Sequence, residues 1–298
     1  MARFGRVLTA MVTPFTEEGG LDLERAGQLA RWLVARGNDG LVVAGTTGES
    51  PVLSDEERLA LFRAVRGAVD VPLIAGCTTN DTAHSVELTR QAAAAGIDAV
   101  LAVTPYYNKP SQAGLEAHFR AVAAATDLPV MLYDVPGRTG RAIAPETVLT
   151  LAREVPTIVA LKDAGARPDA TARLTAAAPA GFEVYSGDEP LTLAFMAYGA
   201  VGVVGVASHW TAPQQAEMMA AFNAGDTARA ASINASLLPS YAFMNSDTCV
   251  FSQSAKVMLA ELGLPVGECR LPLGPAPEGT AEAARAVASD LGALAGAR

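Results

Sequence analysis

Eight short apolar runs recur along this chain, and their spacing limits what it can fold into. The runs are Val7–Thr13, Gly40–Gly45, Val71–Thr78, Ala99–Thr104, Val130–Tyr133, Thr157–Lys162, Phe182–Ser186 and Val201–Val206. Successive run ends fall between 20 and 33 residues apart. That interval accommodates one strand, one helix and two loops per unit. The runs are continuously apolar rather than alternating, which predicts a parallel sheet covered on its outer face. A doubly wound sheet usually stops short of eight strands, whereas eight is the closing number of a TIM (β/α)8 barrel.

The intervening segments carry helix punctuation. Ser54-Asp-Glu-Glu57 is a capping box, followed by Leu59, Leu61, Phe62, Val65 and Val69 at mostly helical spacing. Asn80-Asp81 opens the next helix, Gly96 closes it, and Pro145 suits the first turn of another. After Gly225 the strand signal disappears. Helices are predicted over Ala228–Leu238, roughly Ser252–Leu262 and 280–296, with Pro272, Pro275 and Pro277 marking a loop. The expected organisation is an α/β barrel over residues 1–225 and a small helical C-terminal domain over 226–298.

In such a barrel, chemistry gathers where the strands end. Strand 2 ends in GTTGES (45–50), strand 4 in TPYYNKP (104–110), strand 5 in YDVPGRTG (133–140), strand 6 at Lys162 and strand 7 in Ser186-Gly-Asp188. Lys162 draws most weight. Only three of the 22 basic residues are lysines, namely Lys109, Lys162 and Lys256, so a lysine inside the run Thr157–Ala164 needs a reason. Burial disfavours an ammonium ion, and a neutral amine adds to carbonyls. The competing account is a strand-end lysine that reaches water or pairs with Asp163. Asp163 itself, by strand alternation, faces the other side of the sheet and reads as structural. GTTGES is either a plain turn, in which Glu49 and Ser50 help to begin the next helix, or a functional loop. It is not a P-loop, because no Gly-Lys-Ser/Thr follows. Arg138 sits on a Pro-Gly-Arg corner, where it is either a surface cation or a carboxylate receptor.

Composition narrows the field further. Net charge is −9 and no basic run occurs, which argues against nucleic acid and anionic membranes as partners. The three cysteines and three histidines show no metal-ligand or triad spacing, so no metal is expected. The stretch Val7–Phe15 is short and broken by Pro14, so it reads as a first strand rather than a signal peptide. A cytoplasmic protein is the expectation.

Together these segments resemble dihydrodipicolinate synthase, of the N-acetylneuraminate lyase superfamily. GTTGES, TPYYNKP, YDVPGRTG and LKDA (161–164) occur in order on the right strands, and the likeness runs from about Phe4 to Gly225. The resemblance implies condensation of pyruvate, held as a Schiff base on Lys162 with no other cofactor, with L-aspartate 4-semialdehyde. It implies that Tyr133 shuttles protons, coupled through Thr46 to Tyr107, which reaches in from a neighbouring subunit. Thr46 and Thr47 would hold the pyruvate carboxylate and Arg138 that of the aldehyde, while Gly187 and Val204 complete the wall by backbone contacts. A homotetramer built as a dimer of dimers follows from the role of Tyr107. In lysine-sensitive relatives the effector lies near the positions of Asn80, residue 84 and Tyr106, where an acidic residue 84 helps to hold its ammonium. His84 here implies weak inhibition by L-lysine or none.

The chain departs from the family pattern in three places. Asn245–Ser254 lacks an Asn-Pro segment ahead of the C-terminal lysine-bearing helix, strand 8 has Gly205 where serine is common with Trp210 near the rim, and Lys162-Asp-Ala-Gly-Ala-Arg-Pro168 continues unusually. These bear on substrate range. Two alternatives therefore stay open. One is a related pyruvate-dependent aldolase or dehydratase acting on a sugar acid or another 2-oxo acid. The other is a non-catalytic barrel.

Overall fold

The computed structural model describes residues 2–246 and 249–292. Eight parallel strands close into a barrel in chain order. They are β1 (Val7–Ala10), β2 (Gly40–Val43), β3 (Leu73–Gly76), β4 (Ala99–Val103), β5 (Val130–Asp134), β6 (Ile158–Asp163), β7 (Glu183–Ser186) and β8 (Gly202–Gly205). The helices are α1 (Leu23–Ala35), α2 (Asp55–Arg66), α3 (Thr82–Ala93), α4 (Gln112–Ala123), the single turn α5 (Pro136–Thr139), α6 (Pro145–Glu154), α7 (Pro168–Ala177), α8 (Thr192–Ala197), α9 (Ser208–Asn223), α10 (Thr227–Met244), α11 (Phe251–Glu261) and α12 (Thr280–Asp290). The TIM barrel and the C-terminal helices read from sequence are present. Residues 293–296 of the last predicted helix lie outside the described residues. No helix among the described residues is long and apolar enough to cross a membrane.

The chain forms two compact units, Met1–Arg6 with Pro72–Val204, and Val7–Val71 with Gly205–Arg298. In the first, β5 and β6 are in register at Tyr133↔Lys162 and β6 and β7 at Lys162↔Tyr185. The strands are buried on both faces, which is why they read as continuous apolar runs. The segment preceding β1 is tied into this unit. The backbone N–H of Arg3 donates to the Glu183 carboxylate at 2.8 Å, that of Phe4 to the Tyr185 hydroxyl at 3.3 Å, and that of Val203 to Arg6 O at 2.8 Å. Gly202 has no room for a side chain, since a Cβ would lie 2.3 Å from Arg6 O.

In the second unit β1 pairs with β2 through Leu8↔Gly40. The buried Thr9 hydroxyl contacts Asn38 and lies 2.7 Å from Ser208 Oγ. His209 is fully buried and neutral. Its Nε2 accepts from Val12 N–H while Nδ1 donates to Val206 O, and burial pushes its pKa down to about 4. The capping box forms as predicted, Ser54 Oγ accepting from Glu57 N–H and the Glu57 carboxylate from Ser54 N–H. α10 runs on past the expected end at Leu238 to Met244, with Pro239 inside it. Packing against α9 outweighs the one hydrogen bond that proline removes. Trp210 is part of that packing. It is buried, donates from Nε1 to Ser240 Oγ at 3.1 Å and stacks edge-on against Phe243. The divergent 245–254 stretch joins α10 to α11, with Ser254 Oγ donating to Met244 O at 2.6 Å; Asp247 and Thr248 lie outside the described residues.

Candidate active site

Lys162 lies one residue before the end of β6, with Tyr133 at the same level of β5. Neighbouring parallel strands in register point matched residues to one side, so the two side chains meet. The ammonium nitrogen sits 4.3 Å from the centroid of the Tyr133 ring. Both residues are buried, Lys162 to 5% exposure. No carboxylate among the described residues forms an ion pair with Lys162.

The other two lysines differ. Lys109 is exposed on the loop after β4. Lys256, on α11, is as buried as Lys162, but its nitrogen lies 2.8 Å from Glu49 Oε1 and donates to Glu268 O at 2.9 Å. Burying an ammonium costs several kcal/mol unless partners compensate. Lys256 has those partners. Among the described residues Lys162 meets an aromatic face, worth about 2 kcal/mol or more when desolvated and less than an ion pair's full compensation. A buried lysine nitrogen uncommitted to any carboxylate is what carbonyl addition requires.

One residue further along each strand the chain faces the other way. Asp134 and Asp163 are matched across β5 and β6 and both are buried. Asp163 accepts from Gly165 N–H at 2.9 Å and from Thr171 Oγ1 at 2.6 Å, which bears out its structural reading. Asp134 accepts from Ile143 N–H at 3.0 Å. Burial, reinforced by the Asp163 charge, pushes the Asp134 carboxyl up to about 6, against the pull of Ile143 N–H and Arg167.

Arg138 occupies α5, whose turn is closed by Arg138 N–H and Thr139 N–H donating to Val135 O and by Gly140 at φ 70°. Its residue surface is largely exposed, yet its guanidinium is desolvated enough to lower its pKa, and the Tyr133 phenol opposes that shift. Gly187 follows β7 where a Cβ would lie 2.8 Å from Ala164 Cβ, so close approach of the β6 and β7 ends dictates glycine there. Val204 is buried on β8. Tyr107 behaves differently. Its side chain is 89% exposed on a backbone with φ 73°, so within one chain it stands in solvent and does not join Tyr133.

Thr46 and Thr47 belong to the other compact unit, in the loop after β2. Thr47 is buried and Thr46 half-buried. The loop is tightly specified. Thr13 Oγ1 donates to Gly48 O at 2.6 Å, Glu49 N–H to Thr46 O at 3.1 Å and Ser50 N–H to Gly45 O at 3.3 Å. Glu49 does precede a short 3-10 turn, Ser50–Val52, as the plain-turn alternative expected, but its side chain does not cap that turn. Glu49 is buried in a left-handed conformation (φ 58°), and its carboxylate meets Lys256 and accepts from Arg270 N–H at 2.9 Å. Lys256, Arg270 and Asp134 were not singled out from sequence. One signal for Lys256 was available, a second rare lysine inside an apolar helical pattern.

A closed parallel barrel with a buried, uncompensated strand-end lysine against a tyrosine ring has the arrangement of barrel lyases that work through a lysine imine. This chain belongs to the dihydrodipicolinate synthetase family, whose model matches residues 3–291. The 4-hydroxy-tetrahydrodipicolinate synthase of Symbiobacterium thermophilum is 50% identical over 296 residues, covering 99% of this chain and all of that one. The dihydrodipicolinate synthase of Cyanidioschyzon merolae, solved with lysine bound, superposes with a TM-score of 0.95 at 41% identity, covering 99% of this chain and 100% of that one. A structure described as the first monomeric dihydrodipicolinate synthase variant gives a TM-score of 0.92 at 37% identity, with 97% of each chain covered.

The Asp134 carboxyl yields a stability prediction. Its pKa is near 6 when folded and 3.8 for an unperturbed aspartate, so the native state holds its proton more tightly. Ionisation therefore costs stability progressively as pH rises from about 4 to about 6, reaching on the order of 1–3 kcal/mol above that window. Asp134→Asn keeps an acceptor for Ile143 and removes this cost. Thermal unfolding should show the variant gaining on the parent at pH 8 and losing that gain at pH 4. A difference in Tm that ignores pH would refute the assignment.

Proposed function

We propose that this chain condenses pyruvate with L-aspartate 4-semialdehyde, the reaction of a 4-hydroxy-tetrahydrodipicolinate synthase in diaminopimelate and lysine biosynthesis. The observation that carries this reading is the Lys162 nitrogen, buried without a counter-ion over the Tyr133 ring. Relatives about 50% identical over nearly the whole chain bear that enzyme's name, which supports it over a sugar-acid aldolase or dehydratase.

In this reading the Lys162 amine adds to the ketone carbon of pyruvate, and water leaves to give the imine. Loss of a methyl proton gives the enamine, whose carbon attacks the aldehyde. The substrate amine then adds to the imine carbon, closing the ring and expelling Lys162. The lysine supplies the electron sink itself, and the chemistry calls for no further cofactor. Tyr133 moves the protons, its ring lying beside the Lys162 nitrogen. Thr46 and Tyr107 couple to it, and Thr46 and Thr47 receive the pyruvate carboxylate; for these the support is the family motif. Arg138 receives the aldehyde's carboxylate through its planar two-point donor face. Gly187 and Val204 line the wall. The barrel over residues 1–225 is the catalytic domain and the helices of 226–298 its appendage. Three free, buried cysteines suit a cytoplasmic enzyme.

Borohydride reduction with pyruvate, followed by peptide mass spectrometry, should place the adduct on Lys162. An adduct on Lys109 or Lys256 defeats the assignment. Lys162→Arg should lose roughly a thousand-fold or more in turnover, because a guanidinium stays protonated.

Arg138→Ala should still be trapped by pyruvate while kcat/KM for aspartate 4-semialdehyde falls by about 2–4 kcal/mol in transition-state terms. Equal loss of trapping would give the arginine another role. The same assay run with millimolar L-lysine should show weak inhibition or none, His84 standing where an acidic partner is needed.

The exposed ring of Tyr107, held on a left-handed backbone, supports a place in a neighbouring subunit's site. A homotetramer, a dimer of dimers, is the assembly we propose. Light scattering should find it, and a fully active monomer would sink the claim.

A further inference from the structure

We propose that Lys256 is a positioning residue for the pyruvate-carboxylate loop, holding Gly45–Glu49 through its ion pair with Glu49 so that Thr46 and Thr47 are presented to the substrate. The inference rests on the functional reading above, in which those threonines take the pyruvate carboxylate.

Two observations on the loop lead to it. Its flanks, Ala44 at φ 50° and Glu49 at φ 58°, are both non-glycine residues in the left-handed region. Side chains disfavour that conformation, so it persists only where the surroundings impose it. Between them Gly48 has little freedom, since a Cβ would lie 3.0 Å from Met11 O and 3.1 Å from Thr13 Oγ1. The loop is thus strained at both ends and crowded in the middle.

The restraints from outside the loop come largely through one carboxylate. Thr13 Oγ1 holds Gly48 O, while Arg270 N–H and Lys256 both act on Glu49. Arg270 lies 221 residues away in sequence. Lys256 is itself fixed, its nitrogen donating to Glu268 O and lying 4.3 Å from the Phe15 ring centroid. Arg270 stacks at 4.3 Å on that same ring and grips Gly19 O, Val52 O and Glu57. The Lys256–Glu49 contact is a 2.8 Å approach of opposite charges rather than an aligned hydrogen bond. Buried pairs of this kind contribute little net stability compared with apolar residues of the same shape. Stability alone does not explain the pair, whereas fixing the end of a strained substrate-binding loop does.

The test is steady-state kinetics and pyruvate trapping on the full chain with Lys256→Met, Glu49→Gln and the double variant. Each single change should raise the pyruvate KM about ten-fold while the KM for aspartate 4-semialdehyde stays within about two-fold. The double variant should be no worse than the poorer single one, because Lys256 acts through Glu49. It leaves no unpaired buried charge, so it reports even where Lys256→Met fails to fold. A purely structural pair would lower Tm and leave the pyruvate KM untouched, and that result overturns the inference. So does an additive double variant, or an equal rise in both KM values. The parent separates this from failure of the functional reading. A parent that gives no borohydride adduct defeats both, whereas a normal adduct with unchanged pyruvate KM in the variants defeats only the positioning role.

Discussion

A positive charge inside a protein has to be answered by a carboxylate, by a carbonyl or by the loss of its proton, and this chain contains two buried lysines that meet the demand differently. Lys256 is answered by the Glu49 carboxylate and by Glu268 O. Lys162, among the described residues, is answered by the face of Tyr133 and by no carboxylate. The barrel makes the second case possible. Strands matched in register bring a phenol and an amine to the same level while the next residues, Asp134 and Asp163, turn to the other face. Strand alternation thus keeps the nearest acids on β5 and β6 from neutralising the nucleophile.

Those acids are not idle. Asp163 ties the end of β6 to Gly165 and Thr171, and Asp134 ties the end of β5 to Ile143. The Asp163 charge adds to the cost that burial sets on ionising Asp134 of the adjacent strand, and the structure tolerates this behind the residues it must place most accurately. Gly187 performs a similar service by omission, letting the ends of β6 and β7 approach where any side chain would collide. The supporting shell behind Tyr133 and Lys162 is built from short side chains and backbone groups, which hold a strand end with little play.

Much of this was legible in the sequence because it is local or periodic. Strand runs and the Ser54 capping box depend on neighbours within a few residues, and both were found. Lys162 stood out because a rare lysine interrupts an apolar run. What stayed hidden depends on residues distant in the chain. Glu49 reads locally as part of a turn, and nothing near it in sequence announces Lys256 and Arg270, its partners from more than two hundred residues away. α10 extends past the expected Leu238 to Met244 with Pro239 inside it, and its packing on α9 carries the helix through that proline. Tyr107 is the reverse case: the family motif proposes a catalytic role, and within one chain the ring meets only solvent.

The second compact unit joins Val7–Val71 to the chain from Gly205 onward. On the ribosome these halves are born far apart in time. At 5–20 residues per second, the 221 residues between Glu49 and Arg270 take roughly ten to forty-five seconds to synthesise. During that interval β1 lacks its packing against α9, and the helices that follow are still to be made. The middle of the chain, Pro72–Val204, can condense earlier, because most of its contacts are internal. Nascent molecules should therefore pass through a stage with a structured centre and an unsheltered beginning, when chaperones matter most and when aggregation competes most directly with folding.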